Sequence, residues 1–360
     1  MIKVATAALT LALTITGALA AEIPAAQGLD KIALAALQTH IDGALKEGSL
    51  TYADTIIQPN TSKELVDAFR NYYGLPATFG VNFTLLGSAA MITRLEQEIG
   101  ANHVTLDVAA VASPAWAFEA HRKGYMLEYR SPQYAAYKVA FAAGLGVDGF
   151  FAFNGGYSQV PIWNSDLVDF QGTTYVDVVN ATKPERFSIG DAAHSESQLS
   201  TYAGLRQIYK TDFFKEIAKK KPAFIYRSEV SAQRVLTGQD MFALGGGAAR
   251  VMSANQKGAK LKVLYPKEGF TLLPQSTFIL KAAPHPNAAM LWIDFVLSEK
   301  GQEIICRREA LISGRTGFKS PIPDIVPEFG AIKVIKVDWK NMTPARLKQY
   351  RTEWESIFTP

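Results

Sequence analysis

Between Ser49 and Arg122 the sequence repeats one unit three times, and this repetition limits the fold more than any other feature. Each unit is a short run rich in β-branched and aromatic residues, a punctuating cluster, and then a helical pattern. Ser49 to Ala53 reads as a strand. Asn60-Thr61-Ser62-Lys63-Glu64 then supplies capping residues ahead of Leu65-Val66-Asp67-Ala68-Phe69, so a helix is predicted from near Ser62 to just before Gly74. Thr78 to Leu85 makes the second strand, Gly87-Ser88 interrupts it, and Ala89 to Ile99 has helical character. Leu106 to Val111 is the third strand, and Ser113-Pro114 opens a helix with serine at the cap and proline in the first turn. A strand that reaches its neighbour through a helix runs parallel to it, so successive units of this size predict a parallel α/β sheet. A helix from Asp30 to Glu47, stopped by Gly48, precedes them.

The texture changes from Val139 to Asn164, where Phe150-Phe151-Ala152-Phe153-Asn154-Gly155-Gly156-Tyr157 is extended, and this stretch is read as a crossing between domains. Strand and helix patterns then resume: strands at Phe187 to Ile189, Ala223 to Tyr226, Phe242 to Leu244 and Leu261 to Tyr265, helices at Ser197 to Tyr209, Phe213 to Lys219 and Val230 to Leu236. After a turn at Pro266 to Gly269, a strand from Ser276 to Lys281 and an amphipathic helix from Asn287 to Leu297 are expected to return to the first domain. The expected organisation is a signal peptide over 1–20, a first lobe of 21–152 plus 270–360, and a second lobe of 153–269.

Composition and motifs remove several function classes. Lys3 followed by the uncharged apolar run Val4 to Leu19, ending in Ala18-Leu19-Ala20, is the pattern of a secretory signal cleaved before Ala21. The run is shorter than the roughly 20 residues needed to cross a bilayer. The net charge of +4 is spread without basic blocks, so nucleic acid is not an expected partner. Cys306 is the single cysteine, so no intramolecular disulfide or zinc cluster can form around it, and it is read as a buried helical side chain. His40, His103, His121, His194 and His285 show no metal-binding spacing, and no serine sits in a G-x-S-x-G elbow. Gly144, Gly146 and Gly149 spell G-x-G-x-x-G, but extended aromatic residues follow instead of the helix that a pyrophosphate site needs. No cofactor or metal is expected.

What remains is a set of loops where strands end and helices begin: Tyr52-Ala53-Asp54-Thr55, Gly87-Ser88-Ala89, Ser113-Pro114, and Asp191 to Ser197. In an open parallel sheet the crevice beyond the carboxyl ends of the strands is where a ligand sits. Free N–H groups and serine hydroxyls at helix starts favour an anion. Serine at such a position is also an ordinary helix cap, and both readings stand at this point.

These residues resemble the solute-binding proteins of bacterial ABC importers, in the branch that includes ferric-iron, thiamine, polyamine and phosphonate binders. The resemblance rests on Leu65-Val66-Asp67-Ala68-Phe69 with Tyr73-Gly74, Asp107-Val108, Ser113-Pro114-Ala115-Trp116, Trp163-Asn164-Ser165-Asp166-Leu167-Val168, Gly190-Asp191 and Pro266-Lys267-Glu268-Gly269. Its most specific part is Lys281-Ala282-Ala283-Pro284-His285-Pro286-Asn287-Ala288-Ala289 through Asp294-Phe295-Val296-Leu297-Ser298 and Gly301-Gln302. It implies an α/β fold of the two-lobed type II periplasmic class, with two parallel or mixed sheets flanked by helices and joined by a two-strand hinge. It also implies a monomeric periplasmic receptor, not an enzyme, that closes on a small polar or anionic organic solute and hands it to an ABC permease in the inner membrane. The family's ligand-contacting loops fall here on Asp54, Thr55, Gly87, Ser88, Ser113, Asp191, Ser195, Ser197, Glu229 and Glu268. Glu229 and Glu268 read either as partners for a positive ligand group or as hinge salt bridges. Asn287 is expected to cap the helix that follows it, with His285 outside the site.

One departure bears on the ligand. Iron-binding members of the family carry a Tyr-Tyr pair in the segment that here reads Phe242-Ala243-Leu244-Gly245-Gly246-Gly247, and phenylalanine and glycine offer no phenolate. A ferric-iron receptor is therefore the alternative, not the main reading, and the glycine run is expected to leave room for an organic ligand to approach backbone. A secreted transferase-like enzyme on the same scaffold is the other alternative, and no base or nucleophile for it is visible in the crevice residues.

Overall fold

The computed structural model describes residues 23–358; the signal-peptide expectation for 1–20 lies outside them. The first sheet holds β1 (Ser49–Asp54), β2 (Gly80–Leu85), β3 (Val108–Val111), β4 (Phe151–Ser158) and, from late in the chain, β10 (Leu272–Ile279), in the order β2-β1-β3-β10-β4. The second holds β5 (Val160–Asn164), β6 (Phe187–Gly190), β7 (Ala223–Ile225), β8 (Phe242–Gly246) and β9 (Leu261–Val263), in the order β7-β6-β8-β5-β9. In each sheet three strands are parallel (β2, β1, β3 and β7, β6, β8), β10 and β5 run against them, and the edge strands β4 and β9 run against β10 and β5 in turn. This is the two-lobed mixed α/β architecture.

The helices of the first lobe form where the residues require. Asp30 accepts from the N–H groups of Ile32 and Ala33 at 2.9 Å and starts the helix Lys31–Glu47, which Gly48 ends in the left-handed region at φ 75°. The next helix, Pro59–Tyr73, begins before the Ser62 expected from sequence, because Pro59 suits its first turn and the buried Glu309 carboxylate accepts from Gln58 N–H at 2.9 Å. Pro286–Leu297 is buried almost all round, not one-sided as its sequence suggested. Its Trp292 and Phe295 rings meet Phe69 at 5.2 and 5.7 Å between centroids, knitting the long-range core. The cap of this helix is not Asn287. Glu47 reaches across and accepts from the N–H groups of Asn287 at 3.0 Å and Ala288 at 2.8 Å, placing a carboxylate at a helix start. His285 is held by Asp107, which also accepts from Thr51 N–H, so this motif ties β1 to the helix and lies away from the cleft.

The chain passes between the sheets at Gln159, which alone separates β4 from β5, and again between β9 and β10. A third passage departs from the expectation that everything after residue 270 belongs to the first lobe. The short turn Trp339–Asn341 packs on the helix Pro114–Arg122, but the C-terminal helix Pro344–Phe358 packs on the second-lobe helices Glu196–Leu205 and Thr211–Lys219. Its Trp354 and Phe358 complete an aromatic cluster with Tyr202 and Phe214, and Glu353 binds Arg206 at 2.6 Å. Among the described residues no helix is long and apolar enough to cross a membrane.

Candidate functional site

The parallel strands β1, β2 and β3 of one sheet and β6, β7 and β8 of the other all lead into helices at their carboxyl ends. These junctions supply the walls of a trough between the lobes, which has two halves meeting at Thr55, Ile56 and Tyr157. One half, of about 660 Å³, is lined by Ser88 and Ser113 from the first lobe and Ser195, Ser197 and Ser200 from the second. The other, of about 540 Å³, is lined by Ser228, Glu229, Gly247 and Arg250 from the second lobe and Glu309 to Ile312 from the first.

In the larger half three helices point their N-termini at the cavity: Ser88–Gly100, Pro114–Arg122 and Glu196–Leu205. Ser88 and Ser113 are not spent on capping, whereas Ser195 caps its helix. Gly87, not Ser88, holds the cap position of its helix, and neither Ser88 nor Ser113 makes a side-chain capping bond. The Ser195 hydroxyl accepts from Gln198 N–H only at 3.5 Å and lies 3.2 Å from the Ser197 hydroxyl. Helix starts from both lobes, the free hydroxyls of Ser88 and Ser113, and the mutually bonded Ser195 and Ser197 thus face one space, an arrangement that can receive an anion without a cationic side chain. Glu196 is the one carboxylate among the lining residues, and Arg351 pairs with it at 2.8 Å.

The smaller half is ionic. Arg250 sits in the first turn of the helix Ala248–Asn255, pairs with Glu229 at 2.7 Å and donates to the Ser228 hydroxyl at 3.2 Å. Tyr157 and Tyr265 also line it, the Tyr265 hydroxyl donating to the Ile325 carbonyl at 3.0 Å. Burial pushes the Tyr157 phenol up to about 12, against a hydrogen bond with Ser197, and burial likewise raises that of Tyr265.

Of the ten residues expected from sequence, Thr55, Ser88, Ser113, Ser195, Ser197 and Glu229 line the trough, and Asp54, Gly87, Asp191 and Glu268 do not. Asp54 lies beneath the floor, 2 % exposed, accepting from Ile56 and Ile57 N–H at 2.7 Å each and from the Gln275 amide at 2.6 Å. Burial raises its carboxyl to about 6 even with these donors, so it shapes the Thr55 turn and ties it to the hinge strand β10. The Thr55 hydroxyl accepts from Ala112 N–H at 2.9 Å and so joins the β1 and β3 junctions. Asp191 closes a turn on Ala193 and binds His194 at 2.9 Å. Glu268 accepts from Tyr175 N–H at 2.6 Å and from the Tyr209 hydroxyl, anchoring the start of the helix Tyr175–Ala181.

The glycine run after Phe242 serves packing more than ligand access. A Cβ on Gly245 would lie 2.7 Å from Gly190 N, and one on Gly190 would lie 1.7 Å from the Gln198 side chain, so β6 and β8 need both glycines. Only Gly247 of the run faces the trough. Arg250, Tyr157 and Gln159 were missed by sequence reasoning. Arg250 follows the same strand-to-helix rule as the serines, whereas Gln159, donating to the Gly245 and Gly246 carbonyls at 2.8 and 3.1 Å, carries no sequence signal.

Two lobes joined by crossing strands, with strand-end loops from both facing one trough, define a binding protein of the periplasmic class. The profile of the family described as bacterial extracellular solute-binding protein matches residues 50–308, and the chain belongs to that family. Among solved structures it is similar to iron-bound HitA from Pseudomonas aeruginosa, with 15 % identity, 86 % of this chain and 99 % of that one covered, and a TM-score of 0.69. It is also similar to the periplasmic binding protein AfuA from Actinobacillus pleuropneumoniae with exogenous fructose-6-phosphate bound (19 %, 86 % and 98 % covered, 0.64). A third is an ABC transporter substrate-binding protein from Bradyrhizobium japonicum USDA 110 (16 %, 86 % and 99 %, 0.66). No curated protein sequence matches the chain.

Proposed function

We propose that this protein is the periplasmic receptor of an ABC importer, binding a small anionic organic solute between its lobes and releasing it unchanged to an inner-membrane permease. The observation that carries the reading is the convergence of serines and helix N-termini from both lobes on one cavity, with the Ser88 and Ser113 hydroxyls free of capping bonds. Contacts made to both lobes at once exist only when they are close together, so such a ligand shifts the population toward the closed form. Export as a monomer beginning at Ala21 belongs to the same proposal. The fructose-6-phosphate in AfuA shows that this fold accommodates an organic phosphate.

The iron in HitA motivates the alternative cargo. Against it, the Phe242 to Gly247 segment carries no phenol, and among the described residues no group of three or more His, Cys, Asp or Glu is placed to hold a metal.

A thermal-shift screen of sugar phosphates, carboxylates, phosphonates, polyamines and ferric citrate tests the proposal. A ligand at 100 times its Kd adds about 2.7 kcal/mol of stability. Stabilisation by an organic anion that mass spectrometry recovers unchanged, with a smaller radius of gyration on binding, is expected. Stabilisation by ferric iron alone, or conversion of the ligand, would overturn it.

A further inference from the structure

The larger half of the trough has a second chemistry facing its hydroxyls. Leu347, from the C-terminal helix, lines it as a half-buried residue, and the largely buried Trp339 and Met342, from the short turn and loop that precede that helix, present edges to the same cavity. Ile92, one turn after Ser88 in its helix, and Leu273 of the crossing strand β10 add to the apolar lining. All three C-terminal residues lie beyond residue 308, where the family match ends. This wall is firmly placed. Arg122 donates to the Lys340 carbonyl at 3.0 Å on the first lobe, and Glu353 and Arg351 fix the helix to the second through Arg206 at 2.6 Å and Glu196 at 2.8 Å.

A sugar or a small hydroxy acid would leave its hydroxyls against indole, thioether and leucine, where they find no partners, and an unmade hydrogen bond in a closed cleft is costly. An apolar body there is instead removed from water on both sides when the lobes close. Together with the proposed anion site, we infer that the cargo is an organic anion with a distinct apolar body, its head on the serines and its body on the C-terminal wall. A carboxylate and a phosphate head share the required chemistry. The inference rests on the proposed receptor function and narrows it to one ligand class.

The test uses two matched pairs of anions on the mature chain, phenyl phosphate against glycerol 3-phosphate and phenylacetate against lactate, each titrated by calorimetry. Within at least one pair the aryl member is expected to bind tenfold or more tightly. Leu347→Ser, its folding checked by an unchanged circular dichroism spectrum because Leu347 also packs on the core of both lobes, should reduce that preference at least threefold while leaving the hydrophilic member's affinity within twofold. Trp339→Phe, a variant that keeps an aromatic packing residue, should erode it less. Equal affinity within both pairs, or a Leu347→Ser effect that falls equally on both members, overturns the apolar wall and leaves the anion receptor standing. Binding of none of the four, with stabilisation by a cation or metal in the wider screen, overturns both.

Discussion

The two halves of the trough are built from the same kind of junction and end with opposite electrostatics. In the larger half three helix starts converge, and Ser88 and Ser113 at two of them present hydroxyls that no cap bond consumes. In the smaller half, Arg250 is the cation a reader would first assign to an anion, yet its charge is already engaged by Glu229 and Ser228. The difference teaches that a formal charge in a cleft is a weaker sign of a ligand than a set of donors left unpaired. A paired charge must first give up its partner, whereas a free hydroxyl beside free N–H groups loses only water.

Substitutions can break this comparison. The largest effect is expected from Ser88→Ala with Ser113→Ala. Each charge-assisted bond is worth about 1.5–3 kcal/mol, and 1.4 kcal/mol is a decade, so calorimetry should show affinity for the screened anion falling about a hundredfold or more. Arg250→Ala should cost about tenfold or less. A larger loss at Arg250 than at the serine pair would reverse the ranking of the halves.

A pH experiment on Asp294 separates folding from binding. This carboxyl is buried behind the first lobe and accepts from Ser131 at 2.6 Å and Tyr129 at 2.8 Å, and burial raises it to about 7. Its folded value lies above its unfolded one, so its contribution to stability is present near pH 4 and is lost as pH rises through 7. Asp294→Asn, which resembles the protonated form, should therefore melt higher than the parent at pH 8 and nearly the same at pH 4. An advantage that grows as pH falls would contradict the sign. The smallest effect is expected at Glu268→Gln: about 1 kcal/mol or less of stability in denaturant titration, from a weaker anchor on Tyr175, with ligand affinity unchanged.

The fold of the first lobe was legible because each of its three parallel strands is followed by a helix whose start is marked by local residues: Pro59, Gly87 and Ser113-Pro114. β10 was legible only from Ser276 onward, because Pro274 argues against a central strand. In the structure β10 has outrun β3 at that point, pairing with it only over Ser276 to Ile279, so one side makes no demand on the proline. The serines were legible from the rule that ligands sit at strand ends. The carboxylates were not, since nothing in a linear sequence tells whether Asp54, Asp191 or Glu268 turns toward a cleft or back onto its own backbone. The C-terminal wall was invisible for a different reason: Trp339, Met342 and Leu347 reach the trough only because the end of the chain crosses to the second lobe and packs on it.

The central claim is that the anion sits in the hydroxyl-lined half, and a crystal structure of the complex with the best anion from the screen tests it most directly. The anionic head is expected within hydrogen-bond distance of Ser88 or Ser113 from one lobe and Ser195 or Ser197 from the other, with Arg250 still on Glu229. A head group bound to Arg250, with that ion pair broken and the four serines facing only water, would contradict the account.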